Sequence, residues 1–167
     1  HAIAKVHGLQ VRSGQTLDPA EVTVSIAQQL ASNFGCEIDI DDAPKVASAD
    51  AFKWMLPESQ AVAIALVVNE LLTNAIKHGA AGSKVSMAVS QTPAGITLRI
   101  GNDGCLPPAF DEHKAASAHG KGLQMVRQLL PMRGSGLELR QSGARVVATL
   151  VLSPPAVKPD PGMLPTR

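Results

Sequence analysis

Between Val67 and Gly79 the sequence reads V-V-N-E-L-L-T-N-A-I-K-H-G. Polar residues fall at Asn69, Glu70, Thr73, Asn74, Lys77 and His78. On a helix this spacing forms two adjacent rows, hence one face, with Leu71, Leu72, Ala75 and Ile76 on the other side. A charged stripe of this kind is by default a solvated face, but this one gathers a carboxylate, carboxamides, a cation and an imidazole. A carboxamide such as Asn74 offers a hard oxygen to Mg²⁺, which takes one or two protein ligands and completes its shell with phosphates and water. Glu70, one turn earlier, can hold or deprotonate an attacking hydroxyl, imidazole or water. Lys77 and His78, one turn later, can meet phosphate or ribose. Two glycine turns lie further on, Gly101-Asn102-Asp103-Gly104 and Gly120-Lys121-Gly122. The second precedes a short apolar helix pattern. Free amides at a helix start bind anions, and glycine lets a phosphate approach the backbone.

These pieces need elements to position them. Asp18-Pro19-Ala20-Glu21 is a strong helix start, with Asp as N-cap and Pro at the first helical position. The helix it opens carries Val22, Ile26 and Leu30 on one face and ends at Gly35. Cys36 to Asp41 alternates as a half-buried strand. Residues 43 to 55 are poorly patterned, and Pro57-Glu58 opens the long helix that closes at Gly79. Val85, Met87 and Val89, then Ile96, Leu98 and Ile100, predict a hairpin turning at Thr92 to Gly95. A loop from Cys105 to His119 leads to a helix over Leu123 to Leu130, stopped by Pro131. Leu137 and Leu139 mark one strand; Val146, Ala148, Leu150 and Leu152 mark the last. From Pro154 on, a proline-rich polar tail predicts disorder. Early helices with strands that pair as hairpins predict a two-layer α/β sandwich. Its mixed, mostly antiparallel sheet has about five strands, with helices on one face.

The 167 residues suit one domain with a real core. A formal charge of +1 gives no electrostatic case for nucleic acid or an anionic membrane. The longest apolar run, Ala61 to Val68, is too short to span a bilayer. Neither a signal peptide nor an internal repeat is evident. Cys36 and Cys105 form no disulfide framework or metal knuckle. Both are expected as small buried hydrophobes, in keeping with a reducing cytoplasm.

The order N-E-L-L-T-N-A-I-K-H, then I-G-N-D-G, then G-K-G-L-Q-M-V resembles the N-box, G1 box and G2 box of the histidine-kinase-like (GHKL, Bergerat-fold) ATPases. It is most similar to the ATP-binding catalytic domain of bacterial two-component sensor histidine kinases. The opening A-I-A-K-V-H-G-L resembles the end of the dimerisation helix that precedes that domain. The resemblance implies three parts: residues 1–13 as the end of a dimerisation-type helix, 14–153 as the catalytic domain, and 154–167 as the disordered tail. It implies ATP and Mg²⁺ as cofactors, with Glu70 as the acid that orients or activates the phosphoryl acceptor and Asn74 as the Mg²⁺ ligand. The implied nucleotide site comprises Asn74, Lys77, His78, Gly79, Asn102, Asp103, Gly104, Gly120, Lys121, Gly122 and Leu123, with Thr149 under adenine. Implied partners are a dimerisation domain carrying the phosphoacceptor histidine and a response-regulator receiver domain, in the cytoplasm, without nucleic acid or direct membrane contact.

The G1 box departs from the family pattern. Where the family has Asp, accepting from the adenine amino group, this chain has Asn102, and Asp103 follows. Asn accepts without charge assistance, so its bond is weaker. Leu106 replaces the second glycine, and the loop to Gly120 is short for a lid. His1 and His7 lack the neighbours of a phosphoacceptor box, and His113 and His119 fall in the lid, so the acceptor is expected outside this sequence. Two alternatives stand beside the kinase: a nucleotide-sensing or docking module without catalysis, and an anti-sigma-type serine kinase, which shares T-N-A-x-x-H-G.

Overall fold

The computed structural model describes residues 16–41, 53–107, 121–160 and 162. In chain order the elements are β1 (Thr16–Leu17), α1 (Pro19–Phe34), β2 (Ile38–Asp41), β3 (Trp54–Pro57), α2 (Glu58–His78), β4 (Val85–Thr92), β5 (Gly95–Asp103), α3 (Lys121–Leu129), β6 (Ser135–Ser142), β7 (Arg145–Leu152) and β8 (Lys158–Pro159). The segment expected as the end of a dimerisation helix and the lid residues 108–120 lie outside the described residues.

The main sheet has the expected five strands, in the order β2-β4-β5-β7-β6. All pairings are antiparallel except β2 with β4. Alternation decides which side chains face the helices. Val85 and Met87 of β4, Ile96, Leu98 and Ile100 of β5, and Ala148, Leu150 and Leu152 of β7 are buried. Against them pack Val22, Ile26 and Leu30 of α1, Ile64, Val68, Leu71 and Leu72 of α2, and Val126 of α3. By length and composition α2 is apolar enough to cross a membrane, but it is instead the core helix, with Val67, Val68 and Leu72 fully buried.

The caps follow the sequence. Asp18 Oδ1 accepts from the Ala20 amide at 2.9 Å, and Gly35 closes α1 in the left-handed region (φ 62°, ψ 35°). Asp18 also pairs with Lys53 at 3.0 Å. Hydrogen bonding and charge from Asp18 raise the lysine above its ordinary 10.5. A raised cation stabilises the fold below its ordinary value, and that contribution is lost as pH climbs through the raised one. Asp18→Ala therefore removes both a cap and a partly exposed ion pair. An expected loss of about 1–2 kcal/mol, read by thermal unfolding at neutral pH, checks this.

One feature was not anticipated. β1, β3 and β8 form a second, three-stranded antiparallel sheet. Trp54 anchors it to the main sheet: its amide donates to Gln91 Oε1 at 2.7 Å and its indole Nε1 to the Thr92 carbonyl at 2.8 Å. The expectation of a disordered tail from residue 154 is thus corrected for residues 154–160. Ala156 and Val157 are buried, and β8 pairs with β3. Burial of two apolar side chains and strand pairing outweigh the proline-rich composition there.

Candidate functional site

The polar stripe of α2 begins at Glu70 and Asn74, both half-buried, and ends at Lys77 and His78, both exposed. Its buried flank holds Leu71, Leu72 and Ala75 against the core. Across from Glu70 and Asn74 runs the start of α3. A methyl group on Gly122 would stand 2.8 Å from Glu70 Oε2 and 3.9 Å from Asn74 Nδ2. The first turn of α3 therefore faces the acid of α2 at Gly122, with no room for a side chain between them. Leu123, next along, is buried. A helix start carries amides without intrahelical partners and a positive dipole end, and that of α3 lies on this side.

The turn after β5 closes the other end. Ala80, just past α2, donates to the Asp103 carbonyl at 2.8 Å, and the Gly104 amide donates to the Ala144 carbonyl at 2.9 Å. A side chain on Gly104 would press on the His78 carbonyl at 3.0 Å and on Asn102 Nδ2 at 3.2 Å. Asn102 is buried at 6% exposure, and its Nδ2 donates to the Asp103 carbonyl at 3.2 Å. That bond uses one hydrogen of the amide nitrogen. Gly79 ends α2 with an extended backbone rather than a left-handed one. It is required because a Cβ would meet the Ala75 carbonyl at 2.9 Å.

The structure thus brings Glu70, Asn74 and Gly122 together, and His78, Gly79, Asn102, Asp103 and Gly104 around the adjoining turn. Lys121 opens α3, and Gly120 lies outside the described residues. Two expectations need correction. Thr149 alternates with the buried Ala148 and Leu150, so its side chain stands on the sheet face away from the helices. The residue opposite Asn102 on the helix side is Val146. The inward parity of Val146, Ala148 and Leu150 was itself the signal that excludes Thr149. Cys105 is exposed rather than a buried hydrophobe. Its backbone lies in a turn held by Gln141, which accepts from the Leu106 amide at 2.7 Å and donates to the Gly104 carbonyl at 3.0 Å. Gln141 carried no sequence signal. A separate cleft of about 390 Å³ opens on the opposite flank of α2, lined by Cys36, Ala75, Ile76 and the turn after Gly79. It contains neither Glu70 nor Asn74.

A family model described as a histidine kinase-like ATPase domain matches residues 16–147. The chain belongs to that family. Its fold is shared by solved histidine kinase-like ATPase domains at low identity. The histidine kinase domain from the blue-light activated histidine kinase EL346 of Erythrobacter litoralis has a TM-score of 0.72 at 19% identity, covering 90% of this chain and 75% of that one. The ATP binding domain of PrrB from Mycobacterium tuberculosis has a TM-score of 0.62 at 18% identity, covering 84% and 97%. The mycobacterial sensor histidine kinase MprB has a TM-score of 0.61 at 18% identity, covering 87% and 99%. No curated protein matches the sequence. Membership of an ATPase family implies that the domain binds ATP.

The residues also suit a magnesium ion. Among the described residues no group of three or more His, Cys, Asp or Glu side chains could hold a metal. An ion that keeps phosphate and water ligands does not need such a cage. Asn74 offers one hard oxygen near a glycine-lined helix start, and such an ion takes one or two protein ligands of this kind.

Proposed function

We propose that this domain binds Mg²⁺·ATP between α2, α3 and the turn after β5, and passes the γ-phosphoryl to a histidine on a dimerisation domain, for relay to a response-regulator receiver domain in the cytoplasm. The reading rests chiefly on one observation: Glu70 of the α2 stripe meets the Gly122 backbone at the α3 start. Asn74 would hold the ion, which when bound would neutralise phosphate charge. The α3 amides receive phosphate oxygens. Lys77 and His78 meet phosphate or ribose at the open end, and Asn102 Oδ1 accepts from the adenine amino group. Glu70 orients the acceptor imidazole and takes up its proton. A bond forms from the imidazole nitrogen to the γ-phosphorus as the bond to the bridging oxygen breaks, and ADP leaves. Catalysis of this kind is mostly positioning and charge stabilisation.

Calorimetry and thermal shift with a non-hydrolysable ATP analogue, with and without Mg²⁺, test the proposal. Binding heat and a raised melting temperature that both depend on Mg²⁺ are expected. No heat and no shift would favour the second reading, a docking module, for which the uncharged Asn102 at the base-reading position speaks.

A further inference from the structure

Residue 102 carries no carboxylate, but the next residue, Asp103, does, on the other face of the sheet. Asp103 there meets Arg145, its ladder partner on β7, with Nε to Oδ1 at 3.4 Å. The guanidinium does not stop at Asp103. Its Nη2 donates to Ser86 Oγ of β4 at 2.9 Å. To reach it the side chain crosses β5 over Gly101, where a Cβ would stand 3.2 Å from Nη2. Gly101 is therefore the gap through which one arginine ties β4, β5 and β7 together at the strand ends that carry the turn. The Asp103 backbone carbonyl holds the Asn102 amide from the inner side, and the same oxygen accepts from Ala80. Two links are observed: the ion pair of Arg145 with the Asp103 carboxylate, and the Asp103 carbonyl accepting from Asn102 Nδ2.

We propose that Arg145, through Asp103 and Ser86, is the positioning residue that fixes the Asn102 carboxamide as a one-way acceptor, so that the site selects purines with an exocyclic 6-amino group over 6-oxo purines. A free carboxamide can turn over and offer its NH₂ to a 6-oxo group as readily as its oxygen to a 6-amino group. A carboxylate needs no such restraint, because it only accepts. The uncharged reader therefore makes base choice depend on whatever holds the Asp103 carbonyl in place. This inference rests on the proposed nucleotide site.

The test compares ATP with inosine triphosphate by calorimetry in Mg²⁺, on the whole chain. Wild type is expected to bind ATP about tenfold more tightly, the scale of one buried polar discrimination of about 1.4 kcal/mol. Arg145→Ala should bring that ratio close to one, and Arg145→Lys, which keeps the charge but not the fork, should leave it in between. Equal weakening of both nucleotides with the ratio kept would mark a merely structural arginine and overturn the inference. An unchanged ratio would overturn it too. Should Arg145→Ala not fold, Ser86→Ala removes the far anchor alone. It should lower the ratio in the same direction, and a ratio unmoved by it defeats the idea. Absence of ATP binding in wild type would instead defeat the underlying nucleotide site, an outcome visible before any variant is made.

Discussion

Asn74→Ala is expected to abolish phosphorylation of the acceptor histidine in trans, by roughly 10²–10³-fold, the scale on which a single electrostatic group in a preorganised site acts. The residue stands half-buried on α2 one turn from Glu70, facing the α3 start. Truncation there removes a hard oxygen and leaves the buried flank of the helix untouched, so the melting temperature of the free domain should hardly move. The dependence of nucleotide affinity on Mg²⁺ should weaken along with the rate. Glu70→Gln gives the contrast: binding is kept because the amide is isosteric, and transfer is lost because it cannot take a proton. Phosphotransfer with radiolabelled ATP, beside calorimetry in Mg²⁺ and in chelator, separates the two. Undiminished transfer by Asn74→Ala would falsify its assignment.

Gly122→Ala should produce a domain that is no less stable and much less active. Alanine is a better helix former than glycine by about 1 kcal/mol, and Gly122 lies in the first turn of α3. Its new methyl, however, would stand 2.8 Å from Glu70 Oε2. The carboxylate is the end of a flexible side chain and will swing away. The fold absorbs the change, and the acid is left out of register with the acceptor. Displacement of about 1 Å can cost on the order of 10²-fold. Combining it with Glu70→Ala tests the cause: once the carboxylate is gone, the added methyl should cost no further loss of transfer. Thermal unfolding and single-turnover transfer on the four proteins complete the cycle.

Much of this was legible in the sequence because the signals were local. Asp18, Pro19 and Gly35 announced both ends of α1, and strict alternation in β5 and β7 announced their inner faces. The α2 stripe was visible as spacing alone. What escaped detection depended on partners distant in the chain. β1 and β8 have two residues each and no period to read, and all four residues of β3 are buried, so no alternation survives. Ala156 and Val157 sit in proline-rich company that resembles a tail, and only the cover of the β3 strand reveals them as core. Thr149 matches a motif position, but the parity of its own strand puts it on the outer face. Gln141, Arg145 and Ser86 brace the turn after β5 across strands, and nothing in their own segments marks them.

The small sheet has a topological corollary. β1 and β8, near the first and last described residues, lie on either side of β3, about two interstrand spacings or ~10 Å apart. A body whose β1 and β8 ends are neighbours can be spliced by them into a surface loop of a host protein. Such an insertion would keep the α2–α3 cleft whole, because neither α2, α3 nor the turn after β5 is cut.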